Sequence, residues 1–234
     1  MKAKGIFISA ITAMAVLTGC NEDENIVNRT NGNELCISAT IPTLTRAPIE
    51  GTQLPDHSQI GVSLLNPDGS DYDGNAHCKN VLYKSETVGN GTSWSSANPI
   101  ILSPTIGKAV AYYPYSASIS DISAIPVETA SQTDYLYSDW VNALSFDKPQ
   151  ANFTMNHALC AVQVNLTNEG YTAGPGQVTQ LSVSSPALAT TASLNVQTGQ
   201  LSAFAGQGDA ITLDKTFTLT GESQGTKVIA IPTG

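Results

Sequence analysis

The chain is poor in charge. Only 12% of its 234 residues are Asp, Glu, Lys or Arg, about half the usual share. Basic residues are the scarcest: Arg29 and Arg46 are its two arginines, and six lysines follow Arg46. The formal net charge is -9. Such a chain has no basic footprint for nucleic acid, and it repels anionic membrane surfaces. Sustained apolar periodicity of 3.6 residues is absent, which argues against a helical domain. His57, His77 and His157 are the three histidines, far apart in sequence and outside any recognisable nucleophile or metal motif. No G-x-S-x-G, phosphate-binding loop or dinucleotide fingerprint occurs. The residues therefore point to no enzyme, no catalytic residues and no cofactor. Beyond Cys20 the cysteines are Cys36, Cys78 and Cys160, an odd number that argues against a complete disulfide framework. Their spacing fits no zinc motif. A metal pair of His77 and Cys78 is the alternative to plain structural roles, and Cys160 reads as a small buried hydrophobe.

Gly, Pro, Ser, Thr and Asn are plentiful, and hydrophobic residues make up 41%, too many for a disordered chain. Together they describe an all-β, turn-rich, extracellular type of module of one or two domains. Gln59 to Leu65, Asn80 to Lys84, Ser93 to Trp94, Pro99 to Leu102 and Lys108 to Tyr115 read as strands. Asn66 to Asn75 holds two Asp-Gly turn signals and reads as a solvated hairpin loop. Its Asp68, Asp71 and Asp73 invite a calcium reading but lack the later ligands of a calcium loop. Phe153 to Leu166 carries the clearest core pattern. Phe153, Met155, His157 and Leu159 alternate in one phase, and Cys160, Val162, Val164 and Leu166 in the other. The phase switch predicts a bulge or a strand crossing between sheets. His157, in the inward phase, reads as a hydrogen-bonded structural histidine. Gln177 to Ser184, Ala192 to Gln197, Ala210 to Thr220 and Thr226 to Ile231 complete the expected strands, with a turn at Thr198-Gly199.

The first residues read as an address. Lys2 and Lys4 precede an apolar run from Gly5 to Val16, of signal-peptide length and too short to span a bilayer. Leu17-Thr18-Gly19-Cys20 closes the run and resembles a bacterial lipobox, which makes residues 1–19 a lipoprotein signal peptide and Cys20 the lipidated N-terminus. More than one acyl chain on Cys20 would give a stable hold on the outer membrane. Residues 20–46 then form a lipidated pro-segment: an acidic tether from Asn21 to Asn25, and a β-type stretch from Leu35 to Leu44. Thr45-Arg46-Ala47 follows at once. An arginine-specific protease cutting between Arg46 and Ala47 would remove one strand and leave the charge of the remainder at -9, because four basic and four acidic groups go with it. The other reading of Arg46 is an exposed arginine in a linker that is never cut. Residues 47–168 are expected to form an N-terminal β-sandwich, and 177–234 the start of a second, apparently incomplete β domain. Tyr112, Tyr113 and Tyr115, with Trp140, are either a sugar-binding surface or aromatic core plugs whose polar tips reach water.

Taken in order, the lipobox, acidic tether, β segment, Thr-Arg-Ala, Ala-Tyr-Tyr-Pro-Tyr (111–115) and the strand FTMNHALCAVQVNL (153–166) resemble the fimbrillin family of Bacteroides-type bacteria. Phe153, His157, Ala158, Leu159, Val162 and Val164 carry the strand motif, and Leu181 to Gln200 resembles the strand and turn that follow it. The resemblance implies transthyretin-like β-sandwich domains and a structural role in a surface fimbria that supports cell adhesion. It implies export as an outer-membrane lipoprotein, cleavage by an arginine-specific protease, and head-to-tail assembly with other fimbrial subunits by strand addition. The alternative within the same resemblance is a lipid-retained anchor, a tip adhesin or a surface glycan-binding lipoprotein, with a host or bacterial surface ligand.

Overall fold

The computed structural model describes residues 32–42, 49, 51–89, 91–174 and 176–233. Among them sixteen strands carry the fold and two short 3-10 turns interrupt it. In chain order they are β1 (Cys36–Thr40), β2 (Gln59–Leu65), β3 (Val81–Val88), β4 (Gly91–Ser95), β5 (Gly107–Tyr113), β6 (Ile125–Glu128), β7 (Leu136–Ser138) and β8 (Val141–Leu144). Then come β9 (Gln150–His157), β10 (Cys160–Leu166), β11 (Gln177–Val183), β12 (Leu188–Ala189), β13 (Thr191–Asn195), β14 (Gln200–Ala205), β15 (Ile211–Thr218) and β16 (Gln224–Pro232). The all-β expectation holds, and the sheets stack in a sandwich-like manner.

The largest sheet has the order β1-β9-β7-β5-β2-β3-β4, with β8 also paired to β5. It curls until β1 and β4, the two ends of that order, lie against each other. The curl follows from side-chain parity. In β2, Ile60, Val62 and Leu64 point to one apolar cluster, where they meet Ala109 and Ala111 of β5 and Phe153 and Met155 of β9. β5 buries its other parity too: Val110 and Tyr112 belong to a second cluster with Ile125, Val127, Leu194 and Ile231. A strand apolar on both faces is what a central position demands. Gly61 of β2 leaves the space that the Tyr112 ring fills; a Cβ there would overlap the ring.

The phase switch after His157 is a crossing between sheets. β9 ends in the large sheet, and β10 begins three residues later in another, paired to β16 from Cys160↔Ala230 to Leu166↔Gln224. β16 also pairs β12, while β11 pairs β15. β13 joins β14 through a turn in which the Gly199 N–H donates to the Asn195 carbonyl at 2.7 Å, with φ of +71° at Gly199. Its other neighbour is β6, far upstream. Pro126 sits in β6 at the rim of this small sheet, where one edge needs no ladder donor. The residues on either side of 169–176 thus share both a sheet and the second cluster, so the packing runs across that break.

The loop from Asn66 to Asn75 is a turn, as expected, with the Asp68 carboxylate accepting from the Ser70 backbone at 2.9 Å. It also contributes to the core. Tyr72 is buried, and its hydroxyl donates to the Thr105 carbonyl at 2.7 Å. Pro99 to Leu102 forms no strand; Ile101 makes one isolated bridge, to Glu34.

Candidate functional site

The strand on which the large sheet closes, one end of its order lying against the other, is β1. Its apolar residues alternate, as a strand with one buried face requires. Leu35, Ile37, Ala39 and Ile41 all enter the first core cluster and are at most 8% exposed. Thr40 faces solvent, and Ser38 turns outward to donate to the Asn152 side chain at 2.7 Å. Cys36, of the opposite parity, is also buried.

β1 occupies a slot with two walls. One wall is β9, to which it pairs in parallel from Cys36↔Gln150 to Thr40↔Thr154. Every other strand pair among the described residues is antiparallel. Parallel ladders are slightly weaker per residue, so this is the pairing least favoured by backbone geometry. The other wall is the 100–102 segment. The Leu35 N–H donates to the Ile100 carbonyl at 2.8 Å, and the Leu102 N–H donates to the Asn33 carbonyl at 2.8 Å. Tyr83 closes the join: its hydroxyl donates to the Leu35 carbonyl at 3.4 Å and accepts from the Ile100 N–H at 3.2 Å. Beyond the strand, the Ile41 N–H donates to the Thr52 carbonyl at 2.8 Å.

Burial pushes the Tyr83 hydroxyl well above the ordinary tyrosine range, and that of Tyr112 up to about 12. Both groups are held protonated by the fold, so their contributions to stability are complete below pH 10, the ordinary tyrosine value, and fade as pH rises toward the folded values. An absorbance titration at 295 nm is expected to show fewer ionised phenolates at pH 11 in the folded chain than in the chain in urea. Stability should fall through the same window. Identical titrations would contradict the placement of both rings.

Around β9 a second polar feature fixes the slot. The Asp134 carboxylate lies 2.8 Å from His157 Nδ1, with side chains 3% and 5% exposed. The Ile49 N–H donates to the same carboxylate oxygen at 3.2 Å. His157 is thus the hydrogen-bonded structural residue that its phase implied. Asp134, its partner 23 residues away, carries no local signal that would have identified it.

Among the described residues, those singled out from sequence are not brought together. Cys20, Arg46 and Ala47 lie outside the described residues. Tyr112 is not a surface aromatic: it is 2% exposed, and its hydroxyl donates to the Asn80 side chain at 2.6 Å. The reason is parity, since Val110 and Tyr112 face the second cluster while Tyr113 packs against the first. Tyr115 is half-buried beyond the strand end. Trp140 packs against the second cluster, donates from its indole N–H to the Gln197 carbonyl at 3.1 Å, and lies under Lys108 Nζ at 4.6 Å from the ring centroid. Tyr113 and Trp140 therefore belong to opposite faces of the sheet and form no common platform. His77 is exposed whereas Cys78 is buried in the first cluster. Burial, with Asp73 and Asp71 nearby, pushes the Cys78 thiol up. Among the described residues no helix is long and apolar enough to cross a membrane.

The family model described as "Fimbrillin-like" matches residues 45–234. A protein named "Putative fimbrium subunit Fim1C", from Bacteroides uniformis, is 28% identical over 207 residues, which cover 84% of this chain and 66% of that one. The chain thus spans just under two thirds of the length of that relative. Two crystal structures, titled as putative cell adhesion proteins of Bacteroides uniformis and Bacteroides ovatus, share the fold, each with a TM-score of 0.61. Their identities are 23% and 17%; each match covers 85% of this chain, and 74% and 78% of the respective structures. The family model and this relative are fimbrial, not those of an enzyme family.

Proposed function

The chain belongs to the fimbrillin-like family, and from that premise we propose that it is a structural subunit of a surface fimbria that supports cell adhesion. In this reading it leaves the cell as a lipoprotein held by Cys20, residues 1–19 having served as signal peptide. A cut between Arg46 and Ala47 releases β1, and an extended segment from another subunit takes its place. Residues 47–168 then carry the receiving sheet, and residues 177–234 supply further β strands that pair with β6 and β10.

The observation that carries this reading is the situation of β1. It precedes the candidate cleavage site, it is paired along its length to β9 and tied through its flanking residues to Ile100, Leu102 and Thr52, and its alternate side chains are core residues. Its departure would expose apolar pockets and unpaired backbone groups at once, which is the condition for strand addition. A donor and a receiving slot on different parts of one subunit give head-to-tail contacts and hence open filaments.

The test is the N-terminus of the protein at the cell surface, by intact mass and terminal sequencing. A start at Ala47 is expected. A start at lipidated Cys20 would leave β1 in place, overturn strand exchange and favour a lipid-retained anchor or surface-binding role.

A further inference from the structure

The β9 wall of the β1 slot alternates in size. Ile37 pairs with Ala151, a large side chain beside a small one, and Ala39 pairs with Phe153, a small one beside a large one. All four belong to the first core cluster, and none is more than 8% exposed. Between them, on the outer face, Ser38 donates to the Asn152 side chain at 2.7 Å. Interiors packed to this degree do not absorb extra volume without shifts of backbone or rotamer.

We propose that the slot selects its incoming strand by size. It takes an extended segment of another subunit that presents a large aliphatic residue to Ala151 and Ala or Gly to Phe153, with a polar residue between them. Phe153 and Ala151 are then specificity-determining residues for assembly. The proposal rests on the strand-exchange reading above, and goes beyond it by stating which strands are accepted.

The experiment uses the full chain, cut after Arg46 with an arginine-specific protease under reducing conditions. It is offered fluorescein-labelled synthetic peptides of residues 32–42, in the natural form and with Ala39→Leu. Anisotropy reads their entry into the slot. The natural peptide is expected to enter, and the Ala39→Leu peptide to bind at least about tenfold more weakly, the scale of one overpacked core position. With Phe153→Leu in the chain, the gap should shrink to less than about threefold, since the smaller wall residue accepts the added volume. Equal binding of both peptides to the natural chain would overturn the size rule. Failure of the natural peptide to enter would instead count against strand exchange itself. The size match is then decided in the uncut chain, where Ala39→Leu should lower Tm and Phe153→Leu should restore part of the loss. Additive losses there overturn it.

Discussion

A chain made to begin at Ala47, with no strand supplied to fill the slot, should lose at least about 10 °C in Tm relative to the uncut chain and should self-associate. Leu35, Ile37 and Ile41 are each at most 8% exposed. Full burial of such a side chain contributes about 1.5–3 kcal/mol, so the three together account for roughly 5–9 kcal/mol. A whole domain has a net stability of roughly 5–15 kcal/mol. Backbone groups add a different kind of cost. The edge of β9 from Gln150 to Thr154, and the Ile100 and Leu102 groups opposite, lose their partners in β1. Water can satisfy them, but so can another chain, and an open edge beside an apolar groove recruits one. Thermal unfolding by circular dichroism and sedimentation at several concentrations would measure both effects. Thr40→Ala in the full chain is the control; its side chain is exposed, and it should shift stability by no more than about 0.5 kcal/mol. A shortened chain that is monomeric and melts at the same temperature would show that β1 is not an integral part of the core.

The extent to which this site was legible in the sequence follows from how local its signals are. β2 occupies Gln59–Leu65, as its β-branched run and flanking turn residues indicated. The crossing after His157 was legible because parity is a property of neighbours along the chain. The strand at β1 was legible from its composition as a β-type stretch from Leu35 to Leu44, of which Cys36–Thr40 forms the strand. The parallel pairing with β9 was not, because nothing in a single strand states its partner or its direction. β6 was missed because Ile125-Pro126-Val127-Glu128 is short and contains proline, and only its rim position makes that harmless. Tyr72 was read as loop because its neighbours are Asp, Gly and Ser; the pocket that buries it is built by residues near Thr105. The tyrosines at 112, 113 and 115 show the same limit. Composition marks an aromatic cluster, but only the sheet decides that alternate rings leave in opposite directions.

The second large effect is expected at His157, the last residue of β9. His157→Ala should destabilise the chain by about 1–3 kcal/mol, because it removes a hydrogen-bond partner of the buried Asp134 carboxylate and leaves it the Ile49 N–H. The loss should not be additive. Once His157 is gone, Asp134→Ala removes the stranded charge, so the double variant should be less destabilised than the sum of the two single ones. Asp134→Ala alone also frees the Ile49 N–H, which is half-buried and can turn to water more cheaply than a carboxylate can remain dry. The pair matters to the slot through position. His157 is paired across to Leu136 of β7, Asp134 lies two residues before β7, and the wall of the slot is the same β9 that His157 terminates. The hydrogen-bonded pair thus ties the slot wall to the next strand inward, and Ile49 ties the chain beyond Arg46 to the same carboxylate. Urea unfolding of the two single variants and the double variant decides the matter. Effects that add to within about 0.5 kcal/mol would mean that the two side chains contribute independently and that no such tie exists.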